Sequence, residues 1–200
     1  MTNDSSVIGR SGSYSKGVAR RQEILDRAIE VFAARGADGT SLRRIAEAIG
    51  VSHAALLHYF DSREQLLVAV YAHAEQQRAL ANPETAHLRA GEGLVHAATQ
   101  NVSVPGLVQL YTTLVATALE EGSGASRDFI EPRFARLRVD LAAQIREDQT
   151  AGLMRSDVDA DAVAALLIAA SDGLQTQWLL DPSIPLSETL LVFEVLLTPR

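Results

Sequence analysis

The chain has 200 residues, 47% of them apolar and only 5% aromatic, enough for one or two packed domains and biased by its many Ala and Leu residues toward helices over sheets. It has no cysteine, which excludes disulfides and thiolate metal sites, and no unbroken apolar run reaches the roughly 18 residues of a membrane span. The formal charge of −7 is unevenly divided: residues 1–65 hold nine Lys/Arg against eight Asp/Glu, leaving nine against seventeen in the rest. A near-neutral N-terminal part that can present a local basic face thus precedes an acidic body. The first residues lack an apolar signal-peptide core, so a soluble, cytoplasmic protein is expected.

Residues 1–17, rich in Ser and Gly, predict a flexible tail. From Val18 to Arg35 the set Ile24, Leu25, Ala28, Val31 and Phe32 makes one helical stripe, ended by Gly36 and a turn at Asp38-Gly39. Thr40 can cap a short helix in which Leu42, Ile45, Ala46 and Ile49 recur at three- and four-residue steps. Gly50 stops it, Val51 anchors the turn inward, and Ser52 caps a second short helix reaching about Tyr59. Leu56 and Phe60 give that helix a core face, leaving Ser52, His53, Ala54, Leu57 and His58 pointing elsewhere. Two short helices joined by a Gly-containing turn describe a helix-turn-helix, and small residues at the start of the second suit a DNA major groove.

Asp61-Ser62 opens a fourth helix with Leu66, Leu67, Val70 and Ala74 inward, broken at Asn82-Pro83. Beyond it only helices are expected, about nine in all: a weakly patterned one from Glu84 to Asn101, one from Pro105 to Glu121, and one ending near Thr150 that Pro132 starts or kinks. A strongly apolar helix then runs from Asp157 or Asp159 to Leu180, and a last one spans about 186–197. These last two are apolar on more than one face and so need burial in a core or against another subunit. Gly173, which costs a helix about 1 kcal/mol relative to Ala, suggests close helix–helix approach at such a contact.

The stretch from Thr40 to Arg63 resembles the TetR-type transcriptional regulators. The resemblance rests on Thr40, Ile45-Ala46, Gly50-Val51-Ser52, Leu56, Tyr59-Phe60, Arg63-Glu64 and Leu66-Leu67, and covers about a quarter of the chain closely. Two positions depart from the pattern: Leu57 stands where the family usually has a phosphate-contacting Tyr, and Ala54 where Gly is common. The resemblance implies a DNA-binding domain over residues 18–62 and a ligand-binding and dimerisation domain over 63–200. It implies a homodimer joined through the last two long helices, double-stranded operator DNA as partner, and a small-molecule effector that releases the DNA. Ser52, His53, Ala54 and His58 would read the groove, and Thr40, Tyr59 and Arg63 would hold phosphates. Arg43 lies where a base-reading Arg can occur, with Arg44 beside it.

Outside the motif the residues are less telling. Mostly apolar body helices favour an apolar or amphipathic ligand, with Tyr111, Phe134, Gln175 and Trp178 as candidate pocket residues; Trp178 equally suits a core or an interface. Arg133, Arg136 and Arg138 read as a solvated, salt-bridged helix face rather than an anion site. His53 and His58 are five residues apart, on different helix faces, so no metal is expected, nor any cofactor. Gly91-x-Gly93-x-x-His96 lacks the third Gly and the strand of a dinucleotide site, and no nucleophile motif is present, so no enzyme is expected. The competing reading is a DNA-binding protein without a small-molecule inducer, controlled by a partner or architectural.

Overall fold

The computed structural model describes residues 11–35, 42–83, 88–120, 122 and 124–199. All regular structure among them is helical: α1 (Ser11–Arg35), α2 (Leu42–Ala48), α3 (His53–Tyr59), α4 (Arg63–Ala81), α5 (Ala90–Val102), α6 (Pro105–Ala118), α7 (Ala125–Thr150), α8 (Ala160–Leu180), α9 (Leu186–Leu190) and α10 (Val192–Leu197). The expected last helix is divided at Leu191 into α9 and α10, so nine helices become ten segments. Helix α1 begins at Ser11, seven residues before the helical stripe expected from Val18. Pro132 neither starts nor ends α7, which continues through it. Thr40, the Gly36 stop, the Asp38-Gly39 turn and residues 1–10 lie outside the described residues.

One apolar core joins the first four helices to α6 and α7. Ile24, Leu25, Ala28 and Phe32 of α1 meet Ile45 and Ala46 of α2, Leu56 of α3, Leu66, Leu67 and Val70 of α4, and Leu107, Leu110 and Leu114 of α6. Gly106 allows α6 onto α1: a Cβ there would lie 1.8 Å from the Phe32 carbonyl oxygen. The negative C-terminal end of α1 thereby faces the positive N-terminal end of α6. Two smaller clusters hold the other end of the molecule. One joins α7 and α8 through Ala142, Ile145, Ala164 and Leu167; the other sets Trp178 against Ala98, Val108, Leu186 and Leu190.

Helix α8 is, by length and composition, the one described helix apolar enough to cross a membrane. Core and association helices pass the same test, and α8 carries Asp172 and Gln175 on its inner face while leaving Leu166 and Leu180 exposed.

Candidate nucleic-acid interface and internal cavity

The turn between α2 and α3 forms because Gly50 takes φ +70°, a conformation open to glycine at little cost. The Val51 amide donates to the Ala46 carbonyl at 2.9 Å and the Gly50 amide to Glu47 at 3.2 Å, satisfying two carbonyls at the end of α2. Ser52 starts α3 by accepting from the Ala55 amide at 3.0 Å. Helix α3 then buries Leu56 completely and exposes Ser52, His53, Ala54, Leu57 and His58 together. Tyr59 is half-buried against the core, with its ring edge on His58. Arg43 and Arg44 are exposed on α2, Arg43 bonding Glu47 at 3.3 Å, and Arg63 is the first residue of α4. Seven of the nine sequence-designated DNA residues therefore sit on α2, α3 and the start of α4, and Ser52 caps α3; the ninth, Thr40, is not described.

Behind this module α4, α5, α6, α7 and α8 enclose a cavity of about 390 Å³, within the usual size of a small-molecule site. Leu88, Leu94, Leu137, Leu141 and Ile168 make its apolar wall. Its polar floor is a chain of contacts across four helices. Arg133 of α7 donates through Nε and Nη2 to one oxygen of Glu75 of α4, at 3.0 and 2.8 Å, and through Nη1 to the Tyr111 hydroxyl at 3.3 Å. Tyr111 in turn donates to Asp172 of α8 at 3.1 Å and stacks on Tyr71 of α4, ring centroids 5.3 Å apart. The guanidinium lies 4.8 Å from the centre of the Tyr111 ring. Burial raises the pKa of Asp172, its hydrogen bond from Tyr111 and the charge of Arg133 pulling the other way. Burial likewise raises that of Tyr111, with Asp172 adding to the effect.

Two of the four sequence-designated ligand residues, Tyr111 and Gln175, line this cavity; Gln175 accepts from Asn101 at 2.9 Å. The other two do not. Phe134 packs on the main apolar core and borders shallow grooves outside the cavity, and Trp178 is buried in the cluster with Leu186 and Leu190. Arg133 is a further correction: Arg136 and Arg138 are solvated, but Arg133 has turned inward, its side chain 13% exposed. Arg133, Tyr71 and Asp172 are the cavity residues sequence reasoning passed over. Asp172 had a visible signal, the one acid beyond the first turn of a mostly apolar helix.

The profile of the tetR family of bacterial regulatory proteins matches residues 24–70, and that of the C-terminal part of BetI-type transcriptional repressors matches residues 115–191. Over 158 residues the chain is 30% identical to the HTH-type transcriptional repressor Rv1474c of Mycobacterium tuberculosis, spanning 78% of this chain and 80% of that protein. The chain belongs to the TetR family. A TetR-family regulator from Rhodococcus sp. superposes with a TM-score of 0.72 at 25% identity, covering 90% of this chain and 98% of that one. Two more distant structures share the fold: FadR of Bacillus subtilis, in complex with stearoyl-CoA (TM-score 0.64, 21% identity, 88% and 97% covered), and a regulator from Saccharomonospora viridis in complex with choline (0.66, 24%, 89% and 94%). In this TetR-family regulator α2 and α3 form the helix-turn-helix, and α3 turns an exposed face away from the core.

Proposed function

We propose that this TetR-family regulator is a repressor that holds a near-palindromic operator as a cytoplasmic homodimer and lets go when a small molecule fills the cavity. Ser52, His53, Ala54 and His58 read base edges, Arg43 and Arg44 approach the groove rim, and Tyr59 and Arg63 hold phosphates, dividing the chain into head and body near residue 62. The observation that carries this reading is the shared helix. Helix α4 opens with Arg63 beside the recognition helix and, further along, supplies Tyr71 to the cavity wall and Glu75 to Arg133. A ligand that binds better when α4 is displaced shifts the population away from the DNA-competent form; a roughly 100-fold preference is worth about 2.7 kcal/mol.

The dimer reading rests on apolar surface left open on one side. Leu166 and Leu180 of α8 and Val195 of α10 are 63%, 83% and 77% exposed, and Leu191, Val192 and Leu196 adjoin them. Pairing these helices with their copies would let two recognition helices reach half-sites about one DNA turn apart, about 34–36 Å or somewhat more.

The test is fluorescence-anisotropy binding to DNA from around the protein's own gene, with salt varied and with Arg43→Ala and His58→Ala variants. Sequence-selective binding that weakens with salt and in both variants is expected. Binding no tighter than to random DNA would overturn the reading.

A further inference from the structure

If the cavity is the effector site, as proposed above, its charges decide what kind of molecule it accepts. Its two wall cations are already paired: Arg133 with Glu75, and Arg89 with Glu92 and, at 3.8 Å, with Glu194. Its two wall carboxylates are not. Asp172 accepts from Tyr111 through Oδ2, but no described residue donates to its other oxygen and none forms an ion pair with it. Asp140, exposed at the rim, has no ion-pair or hydrogen-bond partner among the described residues. Glu75, Glu92 and Glu194 thus occupy the two guanidiniums, and the wall adds two further carboxylates, Asp140 and Asp172.

An anionic ligand would have to displace Glu75 from Arg133 and then sit beside Asp172, exchanging one paired charge for a repulsive contact. A cation meets the opposite situation. The half-buried Asp172 carboxylate, which Arg133 reaches only through the Tyr111 hydroxyl, gains a direct ion-pair partner, and the acidic body favours the cation's approach. Arg133 itself shows that this floor holds a positive charge, since it sits against both Tyr71 and Tyr111. The geometry points to an organic cation as the effector, its positive nitrogen set against Asp172 and an apolar body lying along Leu94, Leu137, Leu141 and Ile168. Burial has already pushed the Asp172 carboxyl upward, as expected of an acid waiting for such a partner.

Three probes of one length, n-octylammonium, n-octanol and n-octanoate, are titrated calorimetrically into the full chain and into its Asp172→Asn variant. Octylammonium is expected to bind at least about tenfold more tightly than the other two, and Asp172→Asn, which keeps an acceptor for Tyr111, to remove most of that preference. Thermal melting verifies that the variant is folded. Octanoate binding as tightly as octylammonium, a preference unchanged in Asp172→Asn, or no binding by any probe would each overturn the inference. Operator release is read separately by anisotropy. A cation that binds in an Asp172-dependent way without releasing DNA refutes the effector-site reading and leaves the charge selectivity standing.

Discussion

Gly106→Ala is the sharpest test of how the DNA-binding end is seated on the body. The added Cβ would lie 1.8 Å from the Phe32 oxygen, 2.9 Å from the Phe32 carbonyl carbon and 3.0 Å from the Ala33 oxygen. Real Cβ contacts essentially never fall below 3.0 Å, so α6 must retreat from α1 by at least 1.2 Å, the difference between 3.0 and 1.8 Å. All three obstacles are backbone atoms, so no side-chain rotation relieves them. Overpacking of this kind costs about 1–3 kcal/mol, and a main-chain obstacle belongs at the upper end. Alanine returns at most about 1 kcal/mol of helix propensity, leaving a net loss of about 2 kcal/mol. For a chain of this length that lowers Tm by about 4–8 °C. Circular dichroism melting measures the loss, and operator affinity should fall with it because α1 carries the helix-turn-helix. A variant melting within about 1 °C of the parent would show that α1 and α6 are not in the contact described.

Leu57, 44% exposed on the recognition helix, offers no hydrogen bond to DNA. Leu57→Tyr should tighten operator binding by about threefold to tenfold, the value of one phosphate hydrogen bond, read by anisotropy at fixed salt. Asp172→Asn should stabilise the protein at neutral pH. Burial raises the folded pKa of Asp172 against the opposing pull of Arg133, in a site also faced by Tyr71, Glu75, Tyr111 and Asp140, so the stability given by its protonated form is present in acid and lost as pH rises through that raised pKa. Melts at neutral and acid pH should show a gain in the first and none in the second. Gly173 is open in a single chain, with nothing within 4 Å of an added Cβ. If α8 pairs closely with its copy, Gly173→Ala weakens self-association in analytical ultracentrifugation; a variant that gains up to about 1 kcal/mol and dimerises unchanged would exclude close approach there.

The helix-turn-helix was legible because each of its signals is local. Gly50, Ser52 and the spacing of Leu42, Ile45, Ala46 and Ile49 act within a few residues of one another, and the structure has Gly50 at positive φ and Ser52 as the cap, as expected. The cavity was not, because its floor joins residues far apart in the chain. Arg133 and Glu75 are separated by 58 positions, Tyr111 and Asp172 by 61. In sequence Arg133 looks like one of three exposed arginines; only the packing of α4 and α6 against α7 turns it inward. Trp178 failed for the converse reason. A large ring on an apolar helix serves a core as readily as a pocket, and α9 happens to cover it.

The polar floor is costly to stability, which points to what it does. Burying an ion pair such as Glu75–Arg133 adds little net stability, and a well-packed apolar pair in its place would do as well. What apolar side chains would not do is fix α4 in one register along α7. Helix α7 grips α4 twice: at Arg133–Glu75 and, nearer its start, where the Ser126 amide donates to Glu64 at 2.6 Å. Beside this second grip the Ser126 hydroxyl is buried without a hydrogen-bond partner among the described residues. Glu64 adjoins Arg63 at the start of α4, whereas Glu75 holds Arg133 of the cavity lining. A molecule that alters the Glu75–Arg133 contact therefore acts on one of two polar contacts of a helix whose other such contact lies beside the helix-turn-helix. On the proposed function, loosening the first while the second holds would turn α4 about its Glu64 end and so couple occupancy of the cavity to the pose of α3.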